Sequence, residues 1–570
     1  MKFKLSLLVL FVLLMGGVEA SQGQLTLLTI GERDGERFGG TADLHLEIKP
    51  GSGRIFIDSF PLSQLDTQIT TRYAKTIACD FLDVDCSNKD FFYTIRARSS
   101  LVGGPSAGAA KTVLTISLLD NQRIDSDVLI TGTINSGGII GPVAGIEEKV
   151  KVAEARGFDK VLIPKWSSHN NVSSLQNVDY NEIYGVENVD VVSVSTLYDV
   201  LKEFTGKNYF EDYGDLEVPQ DYSYIMSSIS EDLCNRTSTL LDEVNDSSVY
   251  NNSLINYELA LNATEIGNYY SSASYCFGAN VQLRNSLYEN ISDEEKESKK
   301  DELLIQAQNL TQRVNDKELK TISDLETSII VKERLFEAIG ILEEGVDNLG
   351  YAEERLYSAF AWSGFFEYEG AEVNLDDSFL ESACLTKISE AEERVNYAEF
   401  LFGTDVFQRG ELSELNNIFR EGDYPFCIFR ATRIKSDVNS LILTSTVDIE
   451  LREELAREKV VIAEQQIKSS SSFPILGYSY YIYAKDLISS DPNSAILFSE
   501  YATEFSNFGM YFEQESGRDF LFYRLVFNQP LFYFGFSLGA LVVLLLVLFG
   551  RNILFKPRKI SKRNPPGKKR

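Results

Sequence analysis

The stretch Gly104-Pro105-Ser106-Ala107-Gly108 decides how the first third of the chain is interpreted. It fits the G-x-S-x-G pattern of a nucleophile elbow, which holds a serine on a sharp turn between a strand and a helix. The pattern is weak when taken alone, because chance matches are common. Its meaning therefore depends on the segments around it.

Those segments alternate between strand-prone and helix-prone sequence. The predicted strands are Leu25–Ile30, Ala42–Ile48, Arg54–Ile57, Phe92–Arg98, Val128–Ile134 and Lys160–Pro164. The predicted helices are Gln68–Phe81, a segment from about Ser106 to Leu119, and Gly145–Arg156. Because the two types mix throughout, we expect residues 21–205 to form an α+β or α/β domain.

A serine nucleophile needs a base, and histidine is scarce in this chain. The two histidines are His45 and His169, and His169 follows Ser106 by only 63 residues. That is too short for the strands that an α/β-hydrolase places between them. Ala110 stands before Lys111 where a phosphate loop needs glycine, and no other phosphate-loop pattern occurs, so no ATPase module is encoded.

A lysine can act as the base if a buried site lowers its pKa and keeps the amine neutral. Lys149 is a candidate, because it lies near the start of a predicted helix with apolar positions beside it. A solvated position on the helix surface is the alternative for any single lysine.

With these motifs in order, residues 21–205 resemble the proteolytic domain of the Lon family of serine proteases. The serine motif is followed by three further matches, Ile130-Thr131-Gly132-Thr133-Ile134, Gly145-Ile146-Glu147-Glu148-Lys149 and Val161-Leu162-Ile163-Pro164. The resemblance implies that Ser106 is the nucleophile, Lys149 its general base and Thr131 the residue that orients the amine. It also implies a Lon-type α+β fold, an oxyanion site of backbone N–H groups and a homo-oligomer, by analogy a hexamer. An ordinary strand threonine is the alternative for Thr131.

The sequence departs from the family pattern at two places near these motifs and in one larger respect. Val102-Gly103 replace the Lys-Asp that often precedes the serine motif, and Ala144 replaces one glycine before the lysine segment. Neither change removes the dyad. The missing ATPase makes the chain look like the membrane-anchored, ATPase-free Lon-like proteases of archaea.

The two ends of the chain predict a membrane-anchored, exported protein. Residues 1–20 have the basic start and short apolar stretch of a secretory signal peptide, with an uncleaved anchor as the alternative. Residues 531–550 carry no charge and match a transmembrane helix. The tail, residues 551–570, is strongly basic with no acid, which places it in the cytoplasm and the bulk of the chain outside the cell membrane.

Composition narrows the partners and cofactors. The net charge of −30 argues against nucleic acid as a partner. With two histidines, no HExxH and no CxxC, we expect no metal site and no cofactor. Sequons occur at Asn171, Asn235, Asn245, Asn251, Asn262, Asn290 and Asn309, so the exported part is a candidate glycoprotein.

The six cysteines are even in number, as expected outside the cell. Proximity along the chain favours the pairs Cys79–Cys86, Cys234–Cys276 and Cys384–Cys427. Fifteen pairings remain possible.

Beyond the first domain, residues 206–225 are expected to be a linker and residues 226–530 a mostly α-helical extracytoplasmic region. Leu303, Ala307, Leu310 and Val314 have the 3-and-4 spacing of an amphipathic helix. The resulting prediction is a membrane-tethered, ATP-independent serine endopeptidase that cuts flexible or unfolded polypeptides. The alternative is a cell-surface scaffold or receptor that keeps an inactive Lon-like fold.

Overall fold

The computed structural model describes residues 21–33, 36–60, 62, 64–97, 104–166, 178–210, 214–368, 370, 372, 377–402, 409–470 and 472–507. The predicted signal peptide, transmembrane helix and basic tail lie outside the described residues, as do His169 and the sequon at Asn171. Within the described ranges, no helix is both long and apolar enough to cross a membrane.

The chain begins with a four-stranded sheet in the order β1-β2-β4-β3. Its strands are β1 (Ser21–Arg33), β2 (Glu36–Pro50), β3 (Ile55–Phe60) and β4 (Lys89–Ala97). Strands β1 and β4 run antiparallel to β2, and β3 runs parallel to β4. Alternate residues of β2 and β4, among them Leu44 and Tyr93, are fully buried, as expected of strands with one face in a core.

A second, parallel sheet in the order β5-β8-β9 follows. It is formed by β5 (Val128–Ile130), β8 (Lys160–Pro164) and β9 (Asp190–Val194), and a short hairpin joins β6 (Thr133–Ile134) to β7 (Ile140–Gly141). The helices of this part are α1 (Leu65–Phe81), α2 (Gly108–Leu119), α3 (Ile146–Ala155), α4 (Tyr180–Tyr184) and α5 (Leu197–Thr205). The expectation of mixed strands and helices is confirmed, and residues 21–205 are called the α/β part below.

Every regular element described between residues 220 and 507 is helical. These helices are α6 (Gln220–Glu243), α7 (Ser247–Glu265), α8 (Tyr269–Glu289), α9 (Asp293–Asn315), α10 (Ile322–Glu344), α11 (Leu349–Trp362), α12 (Asp377–Phe402), α13 (Arg409–Glu421), α14 (Tyr424–Thr446), α15 (Arg452–Ser469), α16 (Ile475–Leu487) and α17 (Pro492–Ser506). We call this the helical part. It starts at Gln220, inside the segment predicted to be a linker, because Pro219 stands before the first turn and Asp221 lies within it, where the helix dipole favours an acid.

The helical part packs against the α/β part within one compact unit. Glu458 of α15 forms an ion pair with Lys165 and accepts a hydrogen bond from the Trp166 indole. Disulfides Cys79–Cys86, Cys234–Cys276 and Cys384–Cys427 are present, the same three pairs that chain proximity favours. The second joins α6 to α8 and the third joins α12 to α14, so the helical part is cross-linked twice.

Candidate active site

Ser106 lies on a tight turn that leads directly into helix α2. Gly104 has a φ of 89°, which an L side chain rarely adopts, and residues Pro105–Ala107 form one turn of 3₁₀ helix. At Gly108, a Cβ atom would lie 3.0 Å from both Ile134 and Thr70, so the turn needs a small residue there. The Ser106 side chain is partly exposed, and most of the helix behind it is buried. The motif therefore presents a serine at the edge of the core.

Backbone hydrogen bonds fix this turn to the strand segment that carries Thr131. The Gly132 N–H donates to the Ser106 carbonyl over 2.9 Å, and the Ala109 N–H donates to the Gly132 carbonyl over 3.1 Å. Thr131 in turn donates its N–H to Leu162 of β8. Thus Ser106 and Thr131 are held beside each other through Gly132.

Lys149 lies on the first turns of α3 and is only 2% exposed. Its Nζ atom donates a hydrogen bond to Thr131 Oγ1 over 3.0 Å. Gly145 precedes the helix with a φ of 65°, and a Cβ atom there would lie 2.0 Å from Ile30 Cδ1. A glycine at this point therefore allows α3 to begin where the lysine reaches the threonine.

Burial determines the protonation of Lys149. It disfavours the charged amine and lowers the pKa of Lys149 to about 7, while the carboxylate of Glu148 acts in the opposite direction. A substantial fraction of the amine is then neutral near pH 7 and can accept a proton. The structure thus brings Lys149 and Thr131 into contact and places Ser106 on the adjoining backbone.

Sequence reasoning missed two groups that support the nucleophile turn. The Asp66 carboxylate accepts hydrogen bonds from the Gly104 N–H over 2.7 Å and from the Thr67 N–H over 2.6 Å. Lys111 is fully buried in α2 and donates to the Thr67 carbonyl over 3.2 Å. The sequence signal for Lys111 was a single charge within the apolar run from Gly108 to Leu119, whereas Asp66 gave no signal.

Burial also lowers the pKa of Lys111, to about 8, against the opposing charges of Asp66 and Glu393. The described contacts tie Lys111 to the carbonyl of a residue next to Asp66. We therefore interpret Lys111 as part of the support of the turn and Lys149 as the candidate base.

The region that contains this candidate site matches a known protein family. Residues 94–206 match the model of the Lon protease (S16) C-terminal proteolytic domain, a range that includes Ser106, Thr131 and Lys149. The chain carries a Lon-type proteolytic domain. The resemblance inferred from the four motifs is confirmed, and the match begins within β4, so the first three strands lie outside it.

Three relatives match the chain over stretches of 119 to 125 residues. A Lon protease of Paraburkholderia phytofirmans is 35% identical over 120 residues, which are 20% of this chain and 15% of that protein. A Lon protease of Clostridium beijerinckii is 34% identical over 125 residues, 22% of this chain and 15% of the relative. An archaeal Lon protease of Methanocaldococcus jannaschii is 26% identical over 119 residues, 21% of this chain and 16% of the relative. The chain thus spans about a sixth of these relatives' length.

Proposed function

We propose that this protein is a serine endopeptidase that uses Ser106 as nucleophile and Lys149 as general base. The observation that carries the proposal is the buried hydrogen bond from Lys149 to Thr131, inside a domain that matches the Lon proteolytic family. A buried lysine with a hydroxyl partner is suited to hold a neutral amine, which a base requires.

The reaction would proceed in two halves, acylation and deacylation. Lys149 takes the Ser106 hydroxyl proton as Oγ attacks the scissile carbonyl carbon, giving a tetrahedral intermediate. Backbone N–H groups at the Ser106 turn stabilise its oxyanion, and Lys149 returns the proton to the departing amine as the C–N bond breaks. A water then attacks the acyl-serine ester while Lys149 accepts its proton. Release of the acid restores the Ser106 hydroxyl and the neutral lysine.

The proposal extends to the substrates of the protein and to its location in the cell. The sequence holds no phosphate-loop motif, so we propose ATP-independent cleavage of polypeptides that are already flexible or unfolded. The apolar stretch 531–550 and the basic tail support tethering to the cell membrane with the α/β and helical parts outside. Resemblance to Lon proteases supports a homo-oligomer, which light scattering of the detergent-solubilised chain would measure.

The test is cleavage of unfolded casein by the full-length chain in detergent, with and without ATP and Mg²⁺. Wild type should cleave at equal rates in both, and Ser106→Ala and Lys149→Ala should each lose at least about 10³-fold in rate. Lys151→Ala is the matched control, since Lys151 lies on the same helix, exposed and paired with Glu147. Equal cleavage by all variants, or none by wild type, would refute the proposal and favour a scaffold with an inactive Lon-like fold.

A further inference from the structure

The segment from residue 134 to residue 144 connects the two members of the Lys149–Thr131 contact. It begins three residues after Thr131 and ends at Ala144, just before Gly145, the residue that precedes α3. In the middle, residues Ser136–Gly138 form a turn in which Gly137 and Gly138 have positive φ. We call residues 134–144 the connecting segment. Its position fixes where α3 starts and hence where Lys149 lies.

Helix α12 of the helical part donates hydrogen bonds to both ends of the connecting segment. At one end, Arg394 Nη2 donates to the Ile134 carbonyl over 3.2 Å. At the other end, the Tyr397 hydroxyl donates to the Pro142 carbonyl over 3.0 Å and also interacts with the backbone of Ala144. Both side chains are buried, Arg394 at 3% and Tyr397 at 5% exposed. Their hydrogen bonds are therefore shielded from competing water.

Helices α15 and α17 pack against the middle of the connecting segment. A Cβ atom on Gly137 would lie 2.9 Å from Gln466 Oε1 and 3.1 Å from the Thr503 methyl group. Lys435 of α14 donates to Ser136 Oγ over 3.2 Å. The segment is thus contacted along its length by the helical part.

Lys435 also contacts α1, the helix that supports the nucleophile turn. Its Nζ atom donates to the Tyr73 hydroxyl over 3.0 Å, and Tyr73 shares a 2.6 Å hydrogen bond with Ser136. Tyr73 belongs to α1, the helix whose first turn contains Asp66, the acceptor of the Gly104 N–H. The Lys435 ammonium therefore contacts both α1, which supports the Ser106 turn, and the connecting segment, which leads to Lys149.

We infer that the helical part completes the active site, and that Tyr397 is a positioning residue that holds the start of α3 and so the Lys149 amine. Among the contacts to the connecting segment, the Tyr397 hydrogen bond lies nearest to α3. Its acceptor, Pro142, is three residues before Gly145, whose carbonyl receives the Lys149 N–H. Without the bond, the start of α3 can shift and the Lys149 amine can lose its hydrogen bond to Thr131 Oγ1. The inference rests on the proposed function.

The test compares Tyr397→Phe with Tyr222→Phe in the full-length chain. Tyr222 is a matched control, because its hydroxyl is also buried and hydrogen-bonded, but to Ser479 within the helical part. Each variant loses one hydroxyl from a buried tyrosine, so their thermal midpoints should fall by similar amounts. We measure casein cleavage, its pH profile, and the rate at which a fluorophosphonate labels Ser106, read by mass spectrometry.

We expect Tyr397→Phe to lower kcat and the Ser106 labelling rate about tenfold with KM unchanged, on the scale of one hydrogen bond. Its pH inflection should move away from that of wild type, while Tyr222→Phe keeps wild-type values. Equal kcat, labelling rate and pH profile in the two variants would overturn the inference even if wild type cleaves. Labelling without cleavage would refute the proposed function, and the inference would then stand only if Tyr397→Phe is labelled about tenfold more slowly than Tyr222→Phe. Absence of both in wild type would overturn both.

Discussion

Lys149 of the α/β part and Lys435 of the helical part are buried almost equally, at 2% and 1% exposed. Their pKa values nevertheless shift in opposite directions. Burial lowers the pKa of Lys149 to about 7, since its described hydrogen-bond partner is the neutral Thr131 hydroxyl. Burial disfavours the Lys435 charge as well, but the carboxylates of Glu390 and Glu504 outweigh it and hold the pKa of Lys435 well above its usual value. The partner, rather than the burial, decides whether a lysine is a base or a structural cation.

The α/β part and the helical part also differ in how many charged side chains they bury. Among the described residues of the α/β part, the buried charged side chains are Asp90, Lys111 and Lys149. The helical part buries many more, among them Glu326, Glu333, Glu354, Lys387, Glu390, Lys435, Lys459, Glu500 and Glu504. Most of these charges face one another in ion pairs, as Lys387 and Lys435 do with Glu504. Charge in the helical part serves packing, whereas Lys149 is the proposed general base.

The largest effect is expected from Lys149→Arg, which puts a permanent positive charge at this position and removes the base. Arginine stays protonated throughout the accessible pH range, so casein cleavage should fall by at least about 10³-fold at every pH. Wild-type activity should instead rise with pH through about 7, because the neutral amine forms as pH passes the Lys149 pKa. Both are read from initial rates between pH 5.5 and 9.5. Recovery of Lys149→Arg at high pH would mean that Lys149 is not the base.

A large effect on stability is expected from Lys435→Met. The change leaves Glu390 and Glu504 buried with one cation fewer, which costs about 3 kcal/mol or more of unfolding free energy. Urea unfolding measures the loss. Adding Glu504→Gln should restore part of it, because one buried negative charge is then removed.

Arg457→Met is the control for Lys435, because Arg457 forms an exposed ion pair with Glu453 one helical turn away. Exposed pairs contribute little, so its unfolding free energy should change by less than about 1 kcal/mol. Equal losses in Lys435→Met and Arg457→Met would contradict the view that the buried Lys435 ion pairs stabilise the fold more than an exposed pair does.

A smaller effect is expected from Thr131→Val, which removes the hydroxyl that accepts the Lys149 hydrogen bond. The plateau rate should fall about tenfold, the scale of one lost hydrogen bond in a buried site. The oxygen stabilises the charged amine more than the neutral one, so the rate inflection should move below the wild-type pH. Thr133→Val is the control, since the Thr133 hydroxyl has no hydrogen-bond partner within the described residues. If both variants behave alike, Thr131 is an ordinary strand residue.

The sequence placed Ser106, Thr131 and Lys149 in one candidate site, because their motifs follow the order of the Lon family. The structure brings Lys149 into contact with Thr131 and bonds the next residue, Gly132, to the Ser106 backbone, while the catalytic roles stay predictions. Mixed strands and helices followed from hydrophobic alternation, and the amphipathic spacing of Leu303 and Leu310 predicted α9. These signals are local, so a single sequence carries them.

The supporting residues could not be predicted, because they come from far along the chain. Asp66 lies 38 residues before Gly104, and Tyr397 lies 255 residues after Pro142. Nothing in the local sequence of α12 indicates that its tyrosine contacts the α/β part. The start of the helical part at Gln220 was missed for a different reason, since the segment ahead of the first apolar residues was interpreted as a linker. Its Tyr222 is in fact buried in the core of the helical part.

The smallest effect is expected from Lys111→Met. The pKa of Lys111 lies between those of Lys149 and Lys435, so this change tests an intermediate case. Burial lowers the pKa of Lys111 from 10.5 to about 8, with Asp66 and Glu393 acting in the opposite direction. Between these two pH values the unfolded chain binds more protons than the folded chain, so this lysine makes the wild type more stable as pH rises. Below pH about 8 it adds no pH dependence. From pH 8 to 9.5, the unfolding free energy of wild type should therefore rise by about 1–2 kcal/mol relative to Lys111→Met.

Lys202→Met, at an exposed position, is the control and should instead follow wild type in urea unfolding. Parallel curves for wild type and Lys111→Met would show that Lys111 stays charged like Lys435, so that the carboxylates near it outweigh its burial.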